Sequence, residues 1–393
     1  MPELPAETPR PATGEPPGEP APDAPRVVTG DSLREAFDAP APLTVGVEEE
    51  LMLLDPDTLD LAPVGREVVE ATGGDPRFKL EFPAAQVEIV TEPAAGAGEV
   101  ATQLAAARRA LAGAAGGIAR FAGTGLHPFA DPDGPLNPGE RYERTMRHYG
   151  PVAARQQLCA LQVHVAVRGA DRALAVHNAL RAHLPDIAAL AANAPWYAGR
   201  DTGMASARPK VSELLPRQGV PPVLPGWDEF AEAMRWGAAA GPMVDYRSWW
   251  WELRPNPAFG TLEVRVPDAQ ATVAEAAAIV ATVHALVAWL GARHDAGDLP
   301  EPAPTWRIEE NRWSAAHRGP HGEMADLETG ERTPTARRLH ALLDALAPYA
   351  REPGAAEGLD AARGLIARTG SDRQRAAGDP RAATAGLAED FLA

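Results

Sequence analysis

An α+β fold with an antiparallel or mixed sheet is predicted for this chain, on three observations. Short stretches alternate apolar and polar residues with period two, the mark of strands with one buried face. Alanine-rich stretches of helical period and long irregular segments join those strands. No internal repeat is visible.

The elements follow in order. Residues 1–40, opening "MPELPAETPRPATGEPPGEPAPDAP", are rich in proline and acid and read as a disordered tail. They carry neither a basic n-region nor an apolar h-region, so they do not read as a signal peptide. A single domain is expected over residues 41–393, with folded structure starting near Pro42. In "LTVGVEEELMLLD", Val45, Val47, Leu51 and Leu53 alternate with Gly46, Glu48, Glu50 and Met52, a strand broken only by Glu49. A second short strand is expected at Gln86–Thr91, and a helix over residues 97–122, weakened by Gly113, Gly116 and Gly117. "LCALQVHVAVRG" places Leu161, Val163, Val165 and Val167 on one face of a strand, with Gln162, His164 and Arg168 on the other. A helix over about residues 171–192 precedes a long irregular segment, 194–228, of the kind that carries function or moves. Two strands are expected at 248–254 and 260–266. Thr272 and Glu275 then make a capping box for a helix running to about Arg293. A loop bearing "EENRWSAAHRG" leads to terminal helices near 334–350 and 355–368.

Composition narrows the function. The formal charge of −17 argues against a nucleic-acid groove or an anionic membrane surface. Only Lys79 and Lys210 are lysines among the 37 basic residues, so no lysine patch exists. Cys159 is the single cysteine; it permits no intrachain disulfide and suits a reducing cytoplasm. The longest apolar run, Val273 to Ala292, is mostly alanine and holds Glu275 and His284, which fits a buried helix better than a membrane span.

Parity gathers the chemistry. Glu48 and Glu50, Glu88, Gln162 and His164, Glu252 and Arg254, and Glu263 and Arg265 occupy the polar faces of five strands. For one strand a solvated face is explanation enough. Five such faces, almost without lysine and concentrated in Glu, His and Arg, describe a site. Carboxylates with an imidazole suit Mg²⁺ or Mn²⁺, and arginines suit polyphosphate or carboxylate. No phosphate loop or dinucleotide fingerprint occurs. Glu49 points to the apolar face, Cys159 reads as a small buried hydrophobe, and Trp249, Trp250 and Trp251 as packing; His127 reads as capping as readily as functional.

The pieces "GVEEE", "QVEIVTEP", "GLHPFA", "RYERTMRHYG", "VHV", "GRDTGMASARP", "ELRPNPAFGTLEVRVPDAQ" and "ENRW", in order from about residue 43 to 350, resemble glutamate–cysteine ligase family 2, bacterial ATP-dependent carboxylate–amine ligases. The resemblance implies a glutamine-synthetase-like fold, a curved sheet forming an active-site funnel with helices on its other face. It implies that ATP phosphorylates a carboxylate, usually the γ-carboxyl of glutamate, and that an amine such as cysteine displaces phosphate. By that match Glu48, Glu50, Glu81, Glu88, His164 and Glu263 would hold Mg²⁺ or Mn²⁺. Arg265 and Arg254 would meet phosphate or the transition state, while Arg200, Arg208 and Gln162 would lie near substrate. Partners would be small molecules, with a homodimer as the default assembly. The chain departs from the family pattern at Gln162, where a histidine is usual, at Ala84, where an acid is common, and at His317 and His321. The residues alone leave open a metal-dependent amidohydrolase, or a family member that binds a metabolite without catalysis.

Overall fold

A computed structural model describes residues 28–39, 42–241 and 246–393. Its strands are β1 (Val45–Leu54), β2 (Phe78–Leu80), β3 (Gln86–Val90), β4 (Arg120–Ala122), β5 (Leu161–Ala166), β6 (Trp196–Tyr197), β7 (Arg200–Asp201), β8 (Leu253–Asn256), β9 (Thr261–Val264), β10 (Glu323–Ala325) and β11 (Arg332–Pro334). The main sheet runs β2-β3-β1-β5-β9-β8, with β4 against the far end of β1, and every pairing is antiparallel. Strands β6–β7 and β10–β11 form two small hairpins.

The predicted parity holds. Val45, Val47, Leu51, Val87, Ile89, Leu161, Val163, Val165, Leu262 and Val264 are buried on one face. Helices Ala97–Ala115, Ala170–Leu180 and Val273–Ala296 pack there, and Ala355–Ala367 covers the last of them. Each fully buried leucine or isoleucine in this layer, such as Leu104 and Ile279, contributes about 1.5–3 kcal/mol. The Val273–Ala296 helix is apolar enough to cross a membrane, yet 78% of its most apolar stretch lies buried in the protein. It opens with the expected box: Thr272 Oγ1 accepts from Glu275 N at 3.2 Å. At the far end of β1 the opposite face is also covered, since Met52, Leu54, Cys159 and Leu387 form a second, smaller core.

Several expectations need correction. Gly30–Asp38, assigned to the tail, is a helix. Thr29 and Ser32 cap it reciprocally, and Leu33 and Phe37, one turn apart, bury against the domain. Phe37 packs on Trp227, ring centroids 4.9 Å apart. Residues 1–27 and 40 of that tail lie outside the described residues. The helix expected over 97–122 stops at Ala115, where Gly116 takes a left-handed φ of 51°, and Arg120–Ala122 joins the sheet. The helix expected over 171–192 is two helices, Ala170–Leu180 and Leu184–Leu190, with a 3₁₀ turn between them and Pro185 opening the second. Trp249–Trp251 precede β8 instead of belonging to it. The "EENRW" segment is helical, Thr305–Arg318. Its core-facing positions, Ile308, Asn311, Arg312 and Ala315, have helical spacing, but two are polar and hide the apolar stripe. Two further helices, Gly370–Ala376 and Pro380–Asp390, close the chain.

Candidate active site

Register, added to parity, brings the polar residues into rows across the sheet. Glu50 stands opposite Glu88, and Glu48 opposite Gln162. His164 stands opposite Glu263, which is itself opposite Arg254. One residue beyond β9, Arg265 falls beside Gln162 and donates to its Oε1. Glu48, Glu50, Glu88, Gln162, Arg254 and Arg265 face a cavity of about 470 Å³, walled on its other sides by Glu81, Tyr142, Arg208, Trp250, Glu252 and Phe259. A second hollow of about 490 Å³ lies elsewhere, between the Gly30–Asp38 helix and Trp227.

Two donor trios sit in or beside the cavity. In the first, Glu48, His164 and Glu263 each offer a ligand atom, all within 4.8 Å of one another. His164 Nε2 is 3.5 Å from Glu48 Oε1 and 3.9 Å from Glu263 Oε2. Its Nδ1 is 3.1 Å from Thr261 Oγ1, which orients the ring. Nε2, by contrast, is buried and has no hydrogen-bond partner among the described residues. An orphaned buried imidazole nitrogen between two carboxylates fits a divalent cation, because the metal would satisfy it. In the second trio Glu50, Glu81 and Glu88 converge within the same 4.8 Å limit. Burial, then the charge of Glu81, pushes the Glu50 carboxyl up to about 7 and raises Glu88 well above the usual carboxylate range. Crowded acids of this kind also fit a cation, which would hold them ionised.

Glu263 behaves in the opposite way. Burial would raise its pKa, but Arg254, His164 and Arg265 outweigh it and hold the carboxyl far below the usual range. Arg254 Nε donates to Glu263 Oε2 at 2.8 Å, Asn256 Nδ2 donates to the same oxygen at 3.1 Å, and Arg265 donates to Oε1. Glu48 is also lowered: burial opposes ionisation, and the imidazole of His164, 3.5 Å away, outweighs it. Glu50 accepts from Gln162 Nε2 and from Ala160 N, both at 2.6 Å. Gln162, standing where a second histidine was the family expectation, therefore links Glu50 to Arg265.

The predicted residues separate here. Glu48, Glu50, Glu81, Glu88, Gln162, Arg208, Arg254 and Arg265 line the cavity, and His164 and Glu263 join them through the first trio. Arg200 does not. It lies exposed in the β6–β7 hairpin, whose turn at Ala198 and Gly199 projects outward, and Arg375 holds the neighbouring Asp201 at 2.7 Å.

Three supporting residues escaped the parity argument. Asp268 accepts from Arg208 Nε at 2.7 Å, Asn193 N at 2.7 Å and Ser206 Oγ at 3.1 Å, fixing the arginine in the wall. It follows the end of β9, where alternation stops, so only its place in "VPDAQ" marked it. Buried Arg312 binds Glu252 through Nε at 2.8 and 2.9 Å and also meets Glu213 and Glu309. Asn256 supports Glu263, as described. Arg208, Arg254 and Arg265 are thus braced, yet each keeps uncommitted N–H groups among the described residues: Nη2 of Arg254, Nε and Nη2 of Arg265, and Nη1 of Arg208.

Comparison with known proteins places this architecture. The model of glutamate–cysteine ligase family 2 matches residues 44–388. A protein of Rubrobacter xylanophilus named "Putative glutamate--cysteine ligase 2-3" is 39% identical over 353 residues, 88% of this chain and 94% of the relative. Among solved structures, a glutamate–cysteine ligase from Francisella tularensis in complex with AMP superposes with a TM-score of 0.65 at 11% identity, covering 91% of this chain and 90% of its own. A bifunctional glutathione synthetase from Pasteurella multocida gives 0.60 at 14% identity, covering 92% of this chain and 53% of that one. At such identities the two structures establish the fold alone.

Proposed function

Because the chain belongs to glutamate–cysteine ligase family 2, we propose that it is an ATP-dependent carboxylate–amine ligase joining the γ-carboxyl of glutamate to cysteine or another amine. The observation that carries this reading is the gathering of two hard-donor trios and three braced arginines around one cavity.

The reaction divides into two transfers. A carboxylate oxygen attacks the γ-phosphorus of ATP, the bond to the β-phosphate oxygen breaks, and ADP leaves. The amine nitrogen then attacks the acyl carbon, the carbon–oxygen bond to phosphate breaks, and the amine loses a proton. No protein nucleophile is required. Magnesium or manganese, held by Glu48, His164 and Glu263 and by Glu50, Glu81 and Glu88, would supply charge neutralisation for the phosphates. Arg254 and Arg265 would offer their free N–H groups to the oxygens of the transferring phosphoryl, where a fixed planar cation needs no reorganisation. Arg208, set by Asp268, would bind a substrate carboxylate. Such a reaction belongs in the cytoplasm, where ATP and reduced thiols are available.

The test is phosphate release from Mg·ATP with glutamate fixed and a panel of amines that includes cysteine, for the wild type and Glu48→Gln. Amine-dependent release that the variant loses supports the reading and identifies the acceptor. Glutamate-independent turnover, or none with any amine, sinks it.

A further inference from the structure

We propose that Phe259 is the platform on which the nucleobase of the nucleotide stacks, an inference that rests on the ATP-dependent reading above. Phe259 lies at the tip of the β8–β9 hairpin and lines the cavity, yet it is 67% exposed. A phenylalanine left in water forgoes the burial its ring would otherwise gain. Here the exposure is built in. Ala258 N donates to Asn256 Oδ1 at 3.1 Å, and Phe259 N and Gly260 N donate to Asn256 O at 3.3 and 3.0 Å. Gly260 has a φ of +66°, and a Cβ there would stand 2.5 Å from the carbonyl oxygen of Ala36, so the turn is pinned against the first helix. The ring is therefore held at a set position, edge-on to His164 with centroids 6.2 Å apart.

That position is where a base should arrive. Polyphosphate needs cationic surroundings, and both Arg254 and Arg265 contact Glu263 of the first trio. The second trio is three carboxylates, so positive charge concentrates at the first. With the β- and γ-phosphates at that end, the ribose carries the base away from the sheet, past His164 and toward the rim where Phe259 stands. Asn256 joins the two parts, shaping the turn with its Oδ1 and bracing Glu263 with its Nδ2. A nucleobase presents a flat apolar face, and an exposed phenylalanine ring is its natural partner.

Kinetics of Phe259→Ala and Phe259→Trp test the proposal. The KM for ATP rises about tenfold or more in Phe259→Ala, the loss of one base-stacking contact, and returns toward wild type in Phe259→Trp. The kcat stays within about twofold, since the ring touches no reacting atom. Inorganic tripolyphosphate, which has the charge but no base, inhibits wild type and Phe259→Ala with the same inhibition constant. An unchanged KM for ATP in Phe259→Ala overturns the inference while leaving the ligase reading intact. So does a parallel loss of tripolyphosphate affinity, which would mark a disturbed trio instead of a missing platform. A wild type that neither binds nor turns over ATP overturns both.

Discussion

Glu49 and Glu50 are consecutive residues of one strand, and they meet opposite surroundings. Glu49 points toward the helices, wholly buried, and takes two hydrogen bonds from Arg108, at 2.6 and 3.0 Å. Arg108 spends its other N–H groups on the carbonyls of Ala271, Gln270 and Phe391. That set is closed. Glu50 points to the cavity, where burial and the charge of Glu81 push its carboxyl up to about 7. That set is open, and a bound cation would complete it. The difference teaches how to sort buried charges: those that hold the fold have every partner within the chain, and those that act on a ligand lack one.

The largest expected effect breaks the closed set. Arg108→Met should destabilise the protein by about 3–5 kcal/mol, because Glu49 is left as an uncompensated buried charge. Adding Glu49→Leu should recover only part of the loss, since three carbonyls still lack their donor. Denaturant midpoints of the single and double variants measure both. A wild-type midpoint for Arg108→Met would show that the pair contributes nothing and erase the contrast.

Next comes the pH response of the open set. The Glu50 pKa rises from 4.5 to about 7 on folding, so within that window the folded chain keeps a proton the unfolded chain has released. Measured in a chelator as the difference between wild type and Glu50→Gln, so that the buried histidines cancel, stability should therefore fall as pH rises from about 4.5 to about 7, by up to about 3 kcal/mol. Saturating Mg²⁺ should flatten the slope, because the cation replaces the proton. A metal-free protein with no such slope would mean that the acids are not crowded.

A smaller effect of opposite sign follows from Glu50→Gln. Removing one charge from the trio should raise metal-free stability at pH 8 by about 1 kcal/mol, even as ligase turnover collapses. The same change at Glu49 should lower stability. Thermal unfolding of the two variants side by side tests the comparison directly, and a loss of stability in both would refute it.

The opposition of Glu49 to its neighbours was legible in the sequence, because strand parity alone assigns the faces. So was the membership of the polar face, from Glu48 through Arg265. What parity lacks is register. Nothing in the alternation says that His164 meets Glu263 or that Glu50 meets Glu88, and those pairings decide which residues form which trio. Alternation also ends where a strand ends, which hid Asp268. Helical period failed at Thr305–Arg318 for a related reason: Arg312 occupies a core position because Glu252, 60 residues away in the chain, neutralises it. Such a partner has no signature in the local sequence.

The smallest effect separates two arginines drawn from the same motif. Arg200 and Arg208 both stand in "GRDTGMASARP", and sequence reasoning treats them alike. Arg208 is buried, clamped by Asp268 and the carbonyl of Val266, and lines the cavity. Arg200 is exposed on a hairpin outside the cavity wall. Arg200→Ala should shift stability by no more than about 0.5 kcal/mol, as at an ordinary surface site. It should also leave kcat/KM for glutamate within about threefold, having no contact with the cavity to lose. Arg208→Lys should raise the KM for glutamate, since an ammonium cannot reproduce the fork that Asp268 and the carbonyl hold in place. If Arg200→Ala proves as damaging as Arg208→Lys, the hairpin must fold over the cavity when substrate binds, and proximity in this state would be the wrong criterion for its role.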